Sequence, residues 1–294
     1  MRTESTVWHW GSGIIPNGSM GRQFDGQILD WLTGANPTVL MTRYYVPEVT
    51  TGSHTAETAE GYGVDLIDTR TLKATPVERP TKNVQYFSDG RGVVRFMTQD
   101  IVRHDELLTG RLRYFYRALG ERDWREIPDE AATGGAMIPL AVDAGVNAVY
   151  ILKSLAGRKA LYRMSLDGSL KTELVFAHAE VDVQNVVFIG RSGRVISAYY
   201  ETDKPHIEYF DLAYQRLAAS LARAIPGTPM ISFVSASADE QILVIFASSN
   251  KDPGRYFVMD RRANRLSELM SVRPQLLESN QIRGVPLLLV LRNS

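Results

Sequence analysis

The feature that most constrains the fold is a hairpin that recurs five times along the chain at nearly constant spacing. Taking the turn positions of the five copies as equivalent, the successive steps are 49, 48, 46 and 49 residues, measured between Asp68, Arg117, Ser165, Asp211 and Asp260. A period of roughly 40–50 residues built from short strands is typical of β-propeller blades. The spacing therefore predicts an all-β chain of about five four-stranded blades, either a ring of its own or an incomplete seven- or eight-bladed ring.

A second series of turns lies in register with the first and supports the division into blades. Asp, Gly and Ser supply the backbone conformations that tight hairpins require, and they recur at Ser88–Gly92, Asp143–Gly145, Gly190–Gly193 and Ser237–Glu240. Between the turns lie runs rich in β-branched and aromatic residues, as strands favour. The blades are predicted over residues 27–78, 84–127, 137–176, 182–211 and 230–270.

One segment departs from the strand pattern and predicts a helix. Leu217, Leu221 and Ile225 recur at a spacing of four residues within the alanine-rich segment Leu212–Ile225, and Pro226-Gly227 follows. This periodicity and composition are helical, and the Pro-Gly pair ends the helix. We interpret the segment as a helical insertion that replaces or decorates the outer strand of the fourth blade and covers a strand edge.

Composition and the two chain ends set further limits. Lys and Arg number 33 and so do Asp and Glu, so the net charge is zero and no nucleic-acid or anionic membrane partner is expected. There is no cysteine, which excludes disulfides and thiolate chemistry.

The first ten residues have no signal-peptide core, and no apolar run is long enough to span a membrane, so the chain as written is expected in the cytoplasm. Residues 1–24 are predicted to be irregular, 25–277 to be blades, and 278–294 to form a divergent tail.

Searching for catalytic motifs gives no candidate. The Gly-x-Ser-x-Gly nucleophile elbow, the phosphate-binding loop, the zinc-protease motif and the EF-hand loop are all absent from the sequence. The histidines are scattered and form no local chelating pair; they are His9, His54, His104, His178 and His206. No catalytic, cofactor-binding or metal-binding residue is therefore predicted, and no cofactor.

Weaker candidates lie in a long polar loop and among the aromatic residues. Glu57 and Glu60 in the loop 46–62 could hold a substrate amine or a metal, although such a pair is more often simply solvated. Trp31 lies on a predicted strand and is expected in the core, whereas Trp8 and Trp10 are expected to be poorly buried. Tyrosines are expected to fill the sheets rather than form a binding platform, namely Tyr114, Tyr116, Tyr199 and Tyr200.

Several strings, spread over most of the blades, resemble one family. They are Ile28-Leu-Asp-Trp-Leu32, Val39-Leu-Met-Thr-Arg-Tyr-Tyr-Val-Pro47, Gly63-Val-Asp-Leu-Ile-Asp-Thr-Arg-Thr-Leu-Lys73, Ser88-Asp-Gly-Arg-Gly92, the helix end Leu221–Pro226, Phe233-Val-Ser-Ala-Ser-Ala-Asp239 and Asp252-Pro-Gly-Arg-Tyr-Phe-Val-Met-Asp-Arg261. Over residues 25–277 the chain resembles the propeller half of bacterial S9 serine peptidases, the group of prolyl oligopeptidase, dipeptidyl aminopeptidase and acylaminoacyl peptidase.

The resemblance implies a role in admitting substrate. In that family a seven- or eight-bladed propeller caps an α/β-hydrolase domain, which carries the catalytic Ser, Asp and His, and restricts entry to short peptides. This sequence departs from the pattern at both ends: about two blades are missing at the front, and after Arg273-Pro274 the stretch 279–294 does not match the hydrolase continuation. We therefore expect a truncated chain that is inactive alone, with a peptide or a hydrolase domain as its partner; the parent protein would be periplasmic or cytoplasmic.

Two other functions stay open on the sequence alone. A self-standing five-bladed propeller could bind a protein or a small ligand, since propellers of four to eight blades occur. A five-bladed glycosidase would need paired carboxylates in a central pocket, whereas the Asp and Glu residues here fall mostly in turns.

Overall fold

Five antiparallel sheets follow one another along the chain in the computed structural model. The structure describes residues 26–32, 36–47, 58–103, 107–128, 136–190, 193–227, 229–250 and 252–276. Blade 1 contains β1 (Gln27–Asp30), β2 (Thr38–Tyr45), β3 (Gly61–Asp68) and β4 (Ala74–Thr81). Blade 2 contains β5 (Val84–Ser88), β6 (Val94–Val102), β7 (Leu108–Tyr116) and β8 (Arg125–Glu126).

The remaining sheets continue the same order. Blade 3 contains β9 (Ile138–Asp143), β10 (Ala148–Leu155), β11 (Arg158–Ser165) and β12 (Thr172–Phe176). Blade 4 contains β13 (Val183–Ile189), β14 (Arg194–Glu201) and β15 (Pro205–Tyr209), followed by helix α1 (Leu212–Ala224). Blade 5 contains β16 (Met230–Ala236), β17 (Ile242–Ser249), β18 (Asp252–Asp260) and β19 (Arg265–Ser271), and a 3₁₀ turn (Pro274–Leu276) follows it.

Contacts between sheets identify the architecture as a propeller. The first strand of each blade contacts the first strand of the next, so that β1, β5, β9, β13 and β16 form one series. Within each blade the strands pair in sequence order, and every pairing is antiparallel. The predicted fold of about five meander blades is confirmed, including the helix in place of a fourth strand in blade 4.

Apolar side chains fill the spaces between successive blades. The middle strands of blades 2, 3 and 4 have runs of consecutive buried residues, because each lies between two neighbouring sheets. One cluster joins blades 2 and 3 through Phe96, Val149 and Ile151, and another joins blades 3 and 4 through Leu161 and Val186. Each blade is therefore stabilised mainly by its neighbours, as expected for a repeat of stacked units.

The helix begins and ends where the sequence indicates. The Asp211 carboxylate accepts hydrogen bonds from the backbone N–H groups of Ala213 and Tyr214, which is an N-cap, and Ile225 follows the last turn. Tyr214 and Leu221 are buried against the apolar core shared with blade 5. The helix thus stands beside the short strand β15 and contacts β16, which fits the predicted role of covering a strand edge.

The third hairpins, which carry the repeat, use side-chain carboxylates to close their turns. Asp68 accepts hydrogen bonds from the N–H groups of Arg70 and Thr71, and Asp167 accepts hydrogen bonds from both the hydroxyl and the N–H of Ser169. These bonds lower the pKa of both carboxyls below the ordinary value.

Among the described residues, no helix is long and apolar enough to cross a membrane.

Candidate functional site

Polar contacts between blades cluster at the end of the molecule where the first and second strands of each blade meet. Asp30, the last residue of β1, uses Oδ1 to accept the N–H of Leu32 at 3.0 Å in its own blade. Its Oδ2 accepts from Ser88 Oγ at 2.6 Å and from the N–H of Gly92 at 2.8 Å, both in blade 2. One buried carboxylate therefore closes its own hairpin and joins the next blade.

Asp143 repeats this double role between blades 3 and 4. It is the last residue of β9, and its Oδ1 accepts the N–H of Gly145 at 2.8 Å. Its Oδ2 accepts the N–H of Val195 in β14 at 3.1 Å. Both Asp30 and Asp143 are buried, so their full hydrogen bonding is needed to offset the cost of removing a carboxylate from water.

The other two blade junctions use arginine at the same end. Arg95, almost fully buried, donates from its Nη2 atom to Asn147 Oδ1 of blade 3 at 2.7 Å, and it lies 4.0 Å from Asp89. Between blades 4 and 5, Arg194 donates two hydrogen bonds to the Glu240 carboxylate at 3.2 and 2.8 Å. We call these four sets of interblade contacts the hairpin-end seams.

The Arg194 seam includes the helix as well as both blades. Arg194 also donates to Asp211 Oδ2 at 2.7 Å, and Tyr214 donates its hydroxyl proton to Glu240 Oε2 at 2.9 Å. Burial raises the pKa of Glu240, but the hydrogen bonds from Arg194 and Tyr214 outweigh it and hold the pKa below its ordinary value. The pKa of Tyr214 is raised by burial and by its bond to Glu240. In this network the Asp211 and Glu240 carboxylates are both paired with Arg194, so neither is suited to act as a general acid or base.

A further charged group joins blades 1 and 2. The guanidinium of Arg117 forms a bidentate pair with Glu78, with the Nη2–Oε2 distance at 3.0 Å, and its Cζ atom lies 3.9 Å from the centre of the Trp124 ring. Trp124 Nε1 donates to Glu78 Oε2 at 3.2 Å. Both charged side chains are largely buried, so this contact is an internal ion pair rather than a substrate site.

At the opposite end of the molecule, where second and third strands meet, four aromatic rings from blades 3 and 4 come together. Tyr200 lies at the centre, with ring centroids 5.5 Å from Phe176, 4.8 Å from His178 and 5.1 Å from His206. The His178 Nδ1 atom accepts the N–H groups of Glu180 and Val181, which shapes the connection between the blades. We call these four residues the loop-end cluster.

One hydroxyl–imidazole pair lies beside the loop-end cluster. Thr202 Oγ1 lies 2.8 Å from His206 Nε2 and donates to Asp203 Oδ1 at 2.8 Å. A nucleophile beside a base is the first requirement of covalent catalysis, but the mechanism also needs an orienting group and oxyanion donors. The Thr202 hydroxyl donates its proton to Asp203 in an exposed turn. We therefore interpret the contact between Thr202 and His206 as part of a hydrogen-bonded turn.

Beside His178 is a cleft of about 310 Å³ between the β10–β11 turn and the connection leaving blade 3. Its lining combines alanine and leucine side chains with two exposed cations, Arg158 and Lys159. The Lys159 backbone N–H donates to Asp182 Oδ1 at 2.9 Å, which joins the turn to the connecting segment. Apolar lining residues beside exposed cations suit a small ligand that carries a carboxylate.

The structure describes only some of the candidate residues named from the sequence, and it brings only two of them together. Glu60 is partly exposed and forms an ion pair with Lys82. Glu57, His9, His54, His104, Trp8 and Trp10 lie outside the described residues. His178 and His206, far apart in sequence, both contact Tyr200, and no spacing in the sequence indicates this meeting. Among the described residues there is no group of three or more side chains suited to a metal ion.

The expectation that Trp31 belongs to the core is wrong. Its side chain is 65% exposed and lies just after the end of β1 at Asp30. The strand ends because Asp30 closes a turn through the N–H of Leu32, and this turn directs the indole outward. The tyrosine prediction is confirmed for Tyr114 and Tyr116, which are buried; Tyr199 is half-buried, and Tyr200 forms the centre of the loop-end cluster.

Comparison with solved structures finds partial matches to two peptidases and to TolB. A prolyl endopeptidase matches 84% of this chain and 35% of its own, at 13% identity and a TM-score of 0.49. The acylaminoacyl peptidase of Pyrococcus horikoshii matches 86% of this chain and 40% of its own, at 9% identity and a TM-score of 0.44. TolB from Acinetobacter baumannii matches 71% of this chain and 49% of its own, at 12% identity and a TM-score of 0.37.

The first and second of these proteins belong to the group that the sequence resembles. At such identities the likeness concerns the fold alone, and the propeller assignment rests on the order of the sheets and their contacts. The chain spans 35% of the prolyl endopeptidase and 40% of the acylaminoacyl peptidase. No family model and no curated protein matches the chain.

Proposed function

We propose that this chain is a non-catalytic propeller fragment that binds short peptides and docks on a hydrolase domain, as the substrate-gating half of an S9 serine peptidase does. The resemblance of the sequence strings supports the family and its bacterial branch. The five blades and their seams supply a rigid support for loops at one end.

The arrangement of the strands supports the proposal that the chain is not catalytic. Every strand in the described part of the chain belongs to one of five antiparallel meanders. A nucleophile elbow needs a sharp turn from a strand into a helix, and α1 instead follows the Asp211 cap, whose carboxylate is already bound to Arg194. Buried carboxylates such as Asp30, Glu78 and Asp143 are likewise engaged in joining blades, which also argues against a glycosidase pair.

Activity-based labelling tests the non-catalytic proposal. The purified chain is treated with a fluorophosphonate probe and assayed on aminoacyl and peptidyl nitroanilides, with an active serine peptidase as the positive control. We expect neither labelling nor turnover. A serine in this chain that becomes labelled at a rate similar to the control would overturn the proposal.

Peptide binding is expected at the cleft beside His178. Arg158 and Lys159 would pair with the carboxylate of a short peptide while its side chains contact the alanines of the lining. Titration calorimetry with a tripeptide and with its C-terminal amide tests this assignment. Weaker binding of the amide, and of the chain with Arg158→Ala and Lys159→Ala, is expected; equal binding of both peptides would place recognition elsewhere.

A self-standing propeller that binds a protein or ligand is the second candidate. The continuous series of contacts from β1 to β16 favours it, because stacked blades unfold together when the interfaces between them are strong. Calorimetry of the purified chain distinguishes the two. One cooperative transition in a monomer favours the self-standing module, whereas aggregation that is relieved by an added hydrolase domain favours the fragment.

A further inference from the structure

The turns of blades 1 and 2 meet at the end of the molecule that carries the hairpin-end seams. In blade 1 the N–H of Thr69, in the third turn, donates to the carbonyl oxygen of Pro37, in the first turn, at 2.7 Å. In blade 2 the N–H of Arg117 donates to the carbonyl oxygen of Arg95 at 3.0 Å and joins the corresponding turns. The Asp30 seam connects the first turns of the two blades. Four turns from two successive blades are therefore neighbours.

Three of these four turns carry a large apolar side chain in water. Trp31 is 65% exposed, Leu72 77% and Leu119 73%. Among the residues that the structure describes, these are the three most exposed large apolar side chains. They come from three separate turns, so they form separate apolar points rather than a groove.

Neither backbone preference nor packing explains the leucine at position 72. Leu72 has a φ of 58°, in the left-handed region where Gly, Asn and Asp are favoured. The equivalent residue before the last strand of blade 5 is Asn264, with a φ of 47°. In blade 3 it is Leu170, with a φ of 52°, and that leucine packs against the core between blades 2 and 3. Leu72 keeps the apolar side chain without the core contact.

Four cations lie in the same turns. Arg70 and Lys73 are in the turn of Leu72, Arg91 is in the first turn of blade 2, and Arg122 follows Leu119. All four side chains are exposed, and none forms a salt bridge with a residue in the described part of the chain.

Most carboxylates of these turns are already engaged. Asp30 and Asp89 are buried and accept hydrogen bonds within the seam and its turn. Asp68 accepts two N–H groups of its own turn, and Glu121 forms a salt bridge four residues along the chain. Asp123 is exposed, so the solvent-facing charge of the four turns is positive although the whole chain is neutral. We call the three apolar residues and the four cations the hairpin-end patch: Trp31, Leu72, Leu119, Arg70, Lys73, Arg91 and Arg122.

We propose that the hairpin-end patch binds the surface of a membrane that contains anionic lipid, with its three apolar side chains in the headgroup region. Each cation near such a surface raises the affinity by about fivefold. Tryptophan is favoured at the boundary between water and hydrocarbon, and apolar side chains beside cations are typical of proteins that lie on a membrane. This inference goes beyond the proposed function and does not depend on it.

A lipid surface fits the patch better than an acidic protein does. Protein interfaces depend on close shape complementarity, so three separate apolar points would need three matching pockets in a protein partner. A headgroup layer is deformable and accepts each side chain independently. Apolar contact and charge attraction then act at the same time, as the composition of the patch requires.

Vesicle binding by the whole chain tests the proposal. Vesicles of phosphatidylcholine alone are compared with vesicles that also contain phosphatidylglycerol. We expect binding to the anionic vesicles to be at least about tenfold tighter, because several cations act together. Salt should weaken this binding by screening the charges. The difference in fluorescence between the natural chain and Trp31→Phe should shift to shorter wavelength when the anionic vesicles are added.

Two double variants separate the apolar and charged parts of the patch. Leu72→Asn with Leu119→Ser removes two apolar side chains, and Asn suits the backbone of position 72 because Asn264 adopts the same conformation. Arg91→Gln with Arg122→Gln removes two charges. Each pair should weaken binding to the anionic vesicles by about tenfold or more.

A matched control lies at the opposite end of the molecule. Leu108 is 63% exposed and Lys204 is exposed, both where second and third strands meet. Leu108→Ser with Lys204→Gln is therefore expected to leave vesicle binding unchanged. Circular dichroism verifies the fold of each variant, and the single changes replace a pair that fails to fold.

Three results would overturn the proposal. The first is binding to anionic vesicles that is no tighter than binding to neutral ones. The second is binding that both double variants of the patch leave unchanged. The third is binding that depends on the arginine pair alone with no shift of the Trp31 fluorescence, because the patch would then attract any polyanion, an acidic protein included.

Discussion

Asp30 and Asp143 show how one side chain can both close a turn in its own blade and bind the next blade. In each, one carboxylate oxygen accepts the N–H two residues later and the other accepts from the next blade. A carboxylate has enough lone pairs for both tasks, whereas an amide would present a donor to one side. These positions therefore require Asp for a reason that the turn pattern alone does not express.

Arg117 provides the first prediction at this scale. Replacement by Ala leaves the Glu78 carboxylate without its main partner in a largely buried place, so we expect a loss of about 3–5 kcal/mol in unfolding free energy. Chemical denaturation followed by Trp124 fluorescence measures it, since the guanidinium lies over this ring. Arg113→Ala is the matched control, because its bidentate pair with Glu126 lies in the same sheet but is half exposed, and it should cost less than about 1 kcal/mol.

Acid sensitivity is the second prediction. The pKa of Glu240 is held below its ordinary value of 4.5, so the stabilisation is complete at neutral pH and is lost as the pH falls below that value through the folded-state pKa. Arg194→Met removes the partner and is expected to cost about 2 kcal/mol at neutral pH, between the exposed and buried cases. The difference between the natural chain and the variant should shrink in thermal melts from pH 6 down to pH 3. A difference that stays constant over this range would contradict the assignment.

At the scale of elements, the sequence predicts strands and the helix well because both are local patterns. Blade 2 begins at the predicted Val84, blade 3 ends at the predicted Phe176, and the helix begins at the predicted Leu212. Contacts such as Arg95 to Asn147 or Arg194 to Glu240 join residues 52 and 46 positions apart. No periodicity indicates which polar side chains will meet, so the seams and the loop-end cluster required the structure. Trp31 was misplaced for the same reason, since one carboxylate contact ends its strand.

Helix α1 provides the third prediction. Leu221 is buried in the core shared with blade 5, so Leu221→Ala should lower the unfolding free energy by about 2–5 kcal/mol. Leu212→Ala, on an exposed position of the same helix, is the control and should change it by less than about 0.5 kcal/mol. Equal effects of the two changes in denaturant titrations would mean that the helix is not docked as described.

At the scale of the whole molecule, the order of the blades predicts a gradient of stability. Blade 3 contacts blades 2 and 4, whereas the extensive contacts of blade 5 with other described elements are with blade 4 and its helix. In stacked units the terminal ones open most easily. Hydrogen exchange followed by mass spectrometry should therefore show slower exchange in β10 than in β17. Uniform protection across the five blades would instead require strong closure between the first and the last.

The hairpin-end seams also have a consequence for how such a chain can grow. The polarity of the seams alternates along the chain. Blades 1 and 3 contribute the acceptors Asp30 and Asp143, whereas blades 2 and 4 contribute the donors Arg95 and Arg194 to the blade that follows. A single duplicated blade would therefore place donor beside donor or acceptor beside acceptor, but a duplicated pair of blades arrives with complementary groups at both of its ends. Tandem copying of a gene segment of about two periods would add two blades whose joints are already complete, so the number of blades can change in evolution by pairs without inventing a new interface.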